Sequence, residues 1–292
     1  MKKILITGAN SYIGTSFEKY MQQYADEYQV DTIDMIDGSW REKSFSGYDI
    51  VYHVAGIAHQ KETKKNAGLY YQINKDLAIE VAQKAKKEGV SQFVFLSSMS
   101  VYGKDTGGIT EVTQPAPKSN YGKSKLQAEK GLESLSSDNF IVSILRPPMV
   151  YGKGCKGNFQ SVVKLVKKLP VFPKVNNKRS MIYIENLSKY VKWVIEQRRS
   201  GLIFPCNREV GNTSQMALSI ARALNKRLYL SRLLAFLVKI LSAVNVSAKK
   251  AFGSLFYEVQ DKYFVEDLIS SKIFQHRNQM HSLLVYFHNL FE

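Results

Sequence analysis

Short apolar runs alternate along the chain with longer amphipathic stretches. Lys3 to Thr7 reads as a strand and is followed, after a polar turn, by a helical pattern to about Tyr24. Gln29 to Asp34 and Ile50 to Val54 read as the next two strands, Leu69 to Glu88 as a long helix, and Gln92 to Leu96 as a fourth strand. A helix over Ser119 to Leu135, a strand over Phe140 to Leu145, a strand over Ser180 to Glu185 and a helix over Asn186 to Glu196 follow. Strands and helices alternating at this spacing predict an α/β fold, a doubly wound and mostly parallel sheet with right-handed crossovers. The length leaves room for a smaller C-terminal region beside it.

The polar turns sit at the carboxyl ends of these strands, where ligands of open parallel sheets collect. After the first strand comes Gly8-Ala9-Asn10-Ser11-Tyr12-Ile13-Gly14. A glycine turn between strand and helix lets backbone amides and a helix N-terminus receive a pyrophosphate, which marks a dinucleotide site. Asp34 lies 20 residues past Gly14 at the end of the second strand, where a carboxylate accepts bonds from ribose hydroxyls. Asp31 competes for the role, but Asp34 has the better position. Ala55 and Gly56 end the third strand and are small enough to admit a cofactor close to the backbone. His53 and His59 flank this turn and are read as packed or loop residues with no assigned role.

Ser97 and Ser98 emerge from the fourth strand, and Tyr121-Gly122-Lys123-Ser124-Lys125 follows two dozen residues later. On a helix, residues four apart share a face, so the Tyr121 phenol and the Lys125 ammonium address one volume. A nearby cation lowers a phenol's pKa and makes it an acid/base for an alcohol or carbonyl, with Ser98 as its hydrogen-bond partner. The spacing alone is weak evidence: Tyr71 and Lys75 repeat it, and are expected on an ordinary solvated helix face. Only Tyr121 has the strand-serine context.

Composition narrows the picture. At 292 residues, 45% hydrophobic, the chain can bury a full core. The net charge of +16 is dispersed, without an arginine-rich stripe interleaved with aromatics, and nucleic acid is not expected. Met1-Lys2-Lys3 leads straight into a strand with no signal-like apolar region, so a cytoplasmic location is expected. Cys155 and Cys206 are too few for a disulfide framework, and no residue spacing suggests a metal. Leu228 to Val246 is leucine-rich but interrupted by Arg232 and Lys239; it predicts a packed helix, the alternative being an amphipathic helix on a membrane or partner. Membrane association is not the leading expectation. The tail from Val265 to Glu292 has no functional reading.

Taken together, Thr7-Gly8 with Gly14, His53-Val54-Ala55-Gly56, Asn74, Phe95 to Gly103, Tyr121 with Lys125, and Leu145 to Gly152 resemble an extended short-chain dehydrogenase/reductase. Within that family they are similar to the nucleotide-sugar epimerase/dehydratase group, over roughly residues 3 to 225. The resemblance implies a Rossmann fold at 1–152, with 181–206 returning to it, and a substrate region at 153–180 and 207–292. It implies NAD as cofactor, with Ser98, Tyr121 and Lys125 catalytic. Gly8, Asn10, Ser11, Tyr12, Ile13, Gly14, Asp34, Ala55, Gly56, Asn74 and Pro148 would hold the cofactor. Ser100, Asn158 and Arg179 would contact a nucleoside-diphosphate sugar, expected to be UDP-linked. The expected reaction is C4 epimerisation by hydride transfer. A 4-keto-6-deoxy-sugar reductase is the alternative, and a non-catalytic cofactor sensor is disfavoured by the intact triad. The Asp-Glu pair of related dehydratases is replaced by Met99 and Ser100, so no 4,6-dehydratase activity is expected. Ser11 stands where the family usually has a glycine, and could either cap the helix or donate to a phosphate. A homodimer built on the two long helices is also implied.

Overall fold

The computed structural model describes residues 1–58 and 60–260. His59 and the tail 265–292, both singled out in the sequence, lie outside the described residues. In chain order the elements begin with β1 (Lys2–Thr7), α1 (Tyr12–Met21), β2 (Tyr28–Ile33), β3 (Ile50–His53), α2 (Ala67–Tyr71), α3 (Leu77–Lys87) and β4 (Gln92–Leu96). The middle of the chain forms β5 (Gly107–Thr110), α4 (Asn120–Glu133), β6 (Ile141–Leu145), β7 (Met149–Tyr151), α5 (Asn158–Lys168) and β8 (Val171–Pro173). The last third gives β9 (Met181–Tyr183), α6 (Ile184–Glu196), β10 (Gly201–Ile203), α7 (Thr213–Ala223), β11 (Tyr229–Ser231), α8 (Arg232–Val244), α9 (Val246–Phe252) and β12 (Leu255–Glu258).

The chain forms two compact units. The first comprises Met1–Gly103, Gln114–Pro147 and Ile184–Pro205. Its sheet has six strands in the order β10-β6-β4-β3-β1-β2, and every pairing is parallel. From β1 the chain steps outward to β2, then returns past β1 to β3 and continues outward through β4, β6 and β10. The order therefore reverses between β1 and β3, which is where an open α/β sheet leaves a crevice at its carboxyl edge. Strands covered on both faces should be continuously apolar, and β3 and β4 are buried at every position. Phe93, Phe95, Val51 and Val142 meet Ala78, Val81, Ala82 and Ala85 of α3 and Ala128 and Leu132 of α4 in one core. The alanines keep the helices close to the sheet.

One element departs from expectation. The helix anticipated over Leu69 to Glu88 is broken by a widened π turn at Gln72–Asp76. Inserted turns of this kind re-aim one side chain, and here the buried side chain is Asn74. The decoy pair falls at this turn, and its expected solvated face is not what is found. Tyr71 is partly buried and its hydroxyl donates to Asn120 Oδ1 at 3.3 Å, while Lys75 pairs with Asp76 at 2.9 Å.

Among the described residues, the second unit comprises Lys104–Thr113, Pro148–Tyr183 and 206–260. It holds three parallel two-strand ribbons, β7 with β9, β8 with β11, and β5 with β12. The strand anticipated at Ser180 to Glu185 is β9, and it belongs to this unit. The helix expected to be packed over Leu228 to Val246 is α8, and it has no buried residue. Leu233, Phe236, Leu237, Ile240, Leu241 and Val244 are each about half exposed or more. No helix among the described residues is long and apolar enough to cross a membrane.

Candidate active site

The turn after β1 is shaped by backbone geometry. Gly8 has φ +109°, and a Cβ there would lie 2.8 Å from the Ala55 amide nitrogen, so the turn crosses directly over the end of β3. The Gly8 and Ala9 amides both donate to the Ile33 carbonyl, at 2.9 and 3.0 Å, which ties the turn to the end of β2 as well. Asn10 takes a positive φ of 62°. Ser11 caps α1, its Oγ accepting from the Gly14 amide at 3.1 Å. Of the two roles open to it from sequence, the cap is the one formed. A Cβ on Gly14 would meet that Oγ at 2.6 Å and the Val54 and Ile6 side chains at 3.1 and 3.2 Å, so glycine is what lets α1 start this close to the sheet. An α-helix leaves its first amides without intrahelical acceptors, and at Tyr12 and Ile13 they point out of the end of α1 beside the switch point.

The carboxylates sort themselves by partner. Asp31 accepts from the Tyr48 hydroxyl at 2.9 Å and from Gln29 at 3.0 Å. Asp34 is exposed just past β2, with one oxygen accepting from the Ile36 amide at 2.9 Å. Arg41, a candidate cation for a ribose phosphate, is instead clamped on Glu80 by two bonds of 2.5 and 2.7 Å. These residues fit an adenosine ribose bearing free hydroxyls.

Ser98, Tyr121 and Lys125 come together at the ends of β4 and α4. Ser98 opens a 3₁₀ turn, Met99–Tyr102, its Oγ accepting from the Ser100 amide and donating to Ser100 Oγ, both at 3.1 Å, and it lies close enough to the Tyr121 phenol to act on its pKa. The Lys125 ammonium is buried, donates to the Leu96 carbonyl at 2.9 Å and lies 4.6 Å over the Phe95 ring. Its pKa falls to about 8 because burial disfavours the charge, with Glu129 opposing. The phenol does not show the lowered pKa expected from a neighbouring cation. Burial pushes Tyr121 above its ordinary value, and Ser98 works against that.

Asn74 explains the π turn. Its Oδ1 accepts from the Ile57 amide at 2.8 Å, and its Nδ2 donates to the Ile57 carbonyl at 3.1 Å and to Ser124 Oγ at 3.2 Å. A Cβ on Gly56 would lie 2.8 Å from Asn74 Oδ1 and 3.3 Å from Lys125 Nζ, so the space above this turn is open only because residue 56 is glycine. The remaining small residue of the turn, Ala55, is buried against Gly8.

Several residues that sequence reasoning passed over hold this arrangement. The Glu62 carboxylate accepts from the Asn120 and Tyr121 amides at 2.9 and 3.0 Å, and Ser119 Oγ accepts from Gly122 at 3.1 Å, so the first turn of α4 is fully capped. Beneath it, Arg146 pairs with Glu129 through bonds of 3.1 and 2.5 Å and donates to the Tyr102 hydroxyl at 2.8 Å. Ser97 donates to the same carboxylate, and both members of the pair are almost fully buried. A glutamate four residues past Lys125 was the available signal. His53 is a core residue: Thr7 Oγ1 and its Nδ1 share a 2.7 Å bond, and it stacks on Phe93 and Phe95. Burial lowers its pKa to about 3.

The second unit carries two of the expected substrate contacts, Asn158 and Arg179, whereas Ser100 belongs to the first. Asn158 is exposed at the start of α5, and Pro148 is buried. Arg179 is buried, its Nη1 donating to the Lys250 and Gly253 carbonyls at 2.6 and 3.0 Å. It holds a turn of chain, which a solvated phosphate-binding arginine would not do. A cavity of about 590 Å³ opens nearby, with Lys174, Lys239, Lys249, Asn176 and Asn177 in its lining and no carboxylate.

Comparison with known proteins agrees with this geometry. Residues 4–204 match the NAD dependent epimerase/dehydratase family. The UDP-glucose 4-epimerase of Vibrio cholerae is 32% identical over 251 residues, covering 77% of this chain and 76% of that protein. An Escherichia coli O157:H7 protein, N-acetyl-alpha-D-glucosaminyl-diphospho-ditrans,octacis-undecaprenol 4-epimerase, is 24% identical over 245 residues, covering 77% and 73%. The fold is shared with the UDP-glucuronic acid 4-epimerase of Bacillus cereus solved with NAD, at a TM-score of 0.74 and 18% identity over 99% of this chain and 96% of that one. The matched span holds the glycine turn, the Ser98-Tyr121-Lys125 cluster and the capped α4, and the chain belongs to the NAD-dependent epimerase/dehydratase family.

Proposed function

We propose that the protein is an NAD-dependent 4-epimerase of nucleoside-diphosphate sugars, UDP-linked ones in the first place. The observation that carries the reading is Ser98 acting on the Tyr121 phenol, with the buried Lys125 four residues along the same helix, in a unit whose sheet reverses its order at Gly8 and Ala55. The amides of Gly8 to Gly14 would take the pyrophosphate, Asp34 the adenosine ribose, and Ala55, Gly56, Asn74 and Pro148 would border the rest of the cofactor. Bound NAD supplies a hydride acceptor and donor for C4 and a ring charge that favours the phenolate.

The chain's own residues manage the proton. Tyr121 takes the proton of the C4 hydroxyl as C4 is oxidised and returns it when C4 is reduced on its other face. Ser98 orients the reacting oxygen through its hydroxyl. Lys125 keeps a cation beside the phenolate and would reach the ribose of the cofactor. Ser100 and Asn158, both exposed, are the proposed substrate contacts, and Arg179 holds the turn at Lys250 to Gly253. Met99 is buried and apolar and Ser100 carries no charge, so neither supplies the acid and base of a dehydratase. Pairing of two copies through α2–α3 and α4 belongs to the same proposal.

The test is incubation with UDP-glucose or UDP-N-acetylglucosamine without added NADH. The expected result is the C4 epimer, with NAD favoured over NADP in a binding titration. Absence of epimer, with stoichiometric NADH consumption on a 4-keto-6-deoxy sugar, would replace this reading by the reductase. A sugar carried on a lipid diphosphate, as named for the E. coli relative, is a second reading favoured by the exposed apolar face of α8. The same assay on that substrate decides between carriers.

A further inference from the structure

The geometry points to α8 as a membrane-surface anchor that docks the protein on an anionic bilayer. The proposal holds whichever carrier bears the sugar. At 100° per residue, Phe236, Ile240, Leu233, Val244, Leu237 and Leu241 fall within an arc of about 140° on one side of the helix. All six are exposed, from 49% at Leu241 to 84% at Val244. The opposite side is occupied: Ala235, Val238 and Ser242 are half-buried and line the cavity described above. Packing within the unit therefore uses one face of α8 and leaves the more apolar one outward. Isolated exposed leucines are ordinary, but a continuous apolar stripe rimmed by polar residues marks an interaction surface.

Charge selects the occupant. Between Val210 and Tyr257 the sequence has no Asp or Glu, while Lys226, Arg227, Arg232, Lys239, Lys249 and Lys250 lie in that span, and the whole chain carries +16. Arg232 and Lys239 project along one edge of the apolar arc, where long cationic side chains can reach phosphate headgroups as the apolar face enters the acyl boundary. Tyr229, 61% exposed just before the helix, is a residue type favoured at that interface. With 13 residues, α8 is about 20 Å long, short of the roughly 30 Å of a bilayer core, so it lies on the surface and does not span. A second copy of this chain would bring the same cations against each other, whereas an anionic surface satisfies both the apolar stripe and the acid-free span.

The test is flotation of the full chain with vesicles of phosphatidylcholine containing phosphatidylglycerol, against vesicles of phosphatidylcholine alone. The protein is expected to float with the anionic vesicles and to be released by high salt. Leu237→Asp/Ile240→Asp should lower partitioning by about tenfold or more, with unchanged circular dichroism, melting temperature and turnover of a water-soluble nucleotide sugar. Arg227→Gln/Arg232→Gln should weaken binding to the anionic vesicles and reduce its salt dependence. Wild-type protein remaining in the aqueous phase with anionic vesicles overturns the proposal. A dimer by light scattering that the double aspartate variant splits would then identify a second copy as the occupant.

Discussion

The Tyr121 phenol sits beside Ser98 in surroundings that raise its pKa and hold it neutral until a further positive charge arrives. Tyr121→Phe removes the proton carrier and keeps the ring, so kcat should fall about 100-fold or more, the usual scale for a positioned acid/base, with NAD affinity unchanged by calorimetry. Tyr71→Phe is the matched control. It loses one hydroxyl bond to Asn120 and should cost about 1 kcal/mol of stability without a comparable loss of turnover. Lys125 gives the pH dependence its sign. Its pKa of about 8 lies below the usual lysine value, so the cation is present at neutral pH and is lost as pH rises through 8. The kcat/KM profile should fall on that alkaline side. In Lys125→Arg, whose side chain does not deprotonate, the limb should disappear even where the rate is lower. Glu129→Gln should leave Arg146 buried without a counter-charge and cost about 3–5 kcal/mol in a denaturant titration, a loss that the pair's net contribution does not measure.

At the scale of elements, what was legible in the sequence was local. Gly8 and Gly14 around a strand-to-helix turn, the carboxylate of Asp34 at a strand end, and the four-residue spacing from Tyr121 to Lys125 all express their geometry within one turn of chain. Glu62 could not be read this way, because its partners Asn120 and Tyr121 lie 58 and 59 residues away and meet it only after β4 and α4 are placed. Arg146 is similar: its value depends on Glu129 from α4 and Tyr102 from the turn after β4. The break in the helix over Leu69 to Glu88 was invisible because its cause, the Ile57 backbone, belongs to another segment. α8 was misjudged for a different reason, since an apolar helical stripe has the same pattern whether it is packed or open. Glu62→Gln keeps the shape and one acceptor oxygen but removes the charge at the N-terminus of α4. It should cost about 1 kcal/mol of stability, and, because Tyr121 hangs on that first turn, lower kcat more than it raises KM.

For the molecule as a whole, the six-stranded sheet is completed late in the chain. β10 and α6 belong to the first unit although they lie beyond residue 183, and Gly201–Ile203 pairs with β6. Expressed alone, residues 1–147 would leave β6 as an edge and uncover α1, which α6 flanks in the intact protein. That fragment should show no cooperative unfolding transition by circular dichroism, while the full chain does. The order of segments carries a consequence for the gene. The chain passes from one unit to the other five times, so neither unit corresponds to a contiguous stretch of coding sequence. Recombination at a single crossover cannot exchange the second unit whole between relatives. Moving that unit from one relative to another would take several short cassettes at once, each spliced back into the first unit.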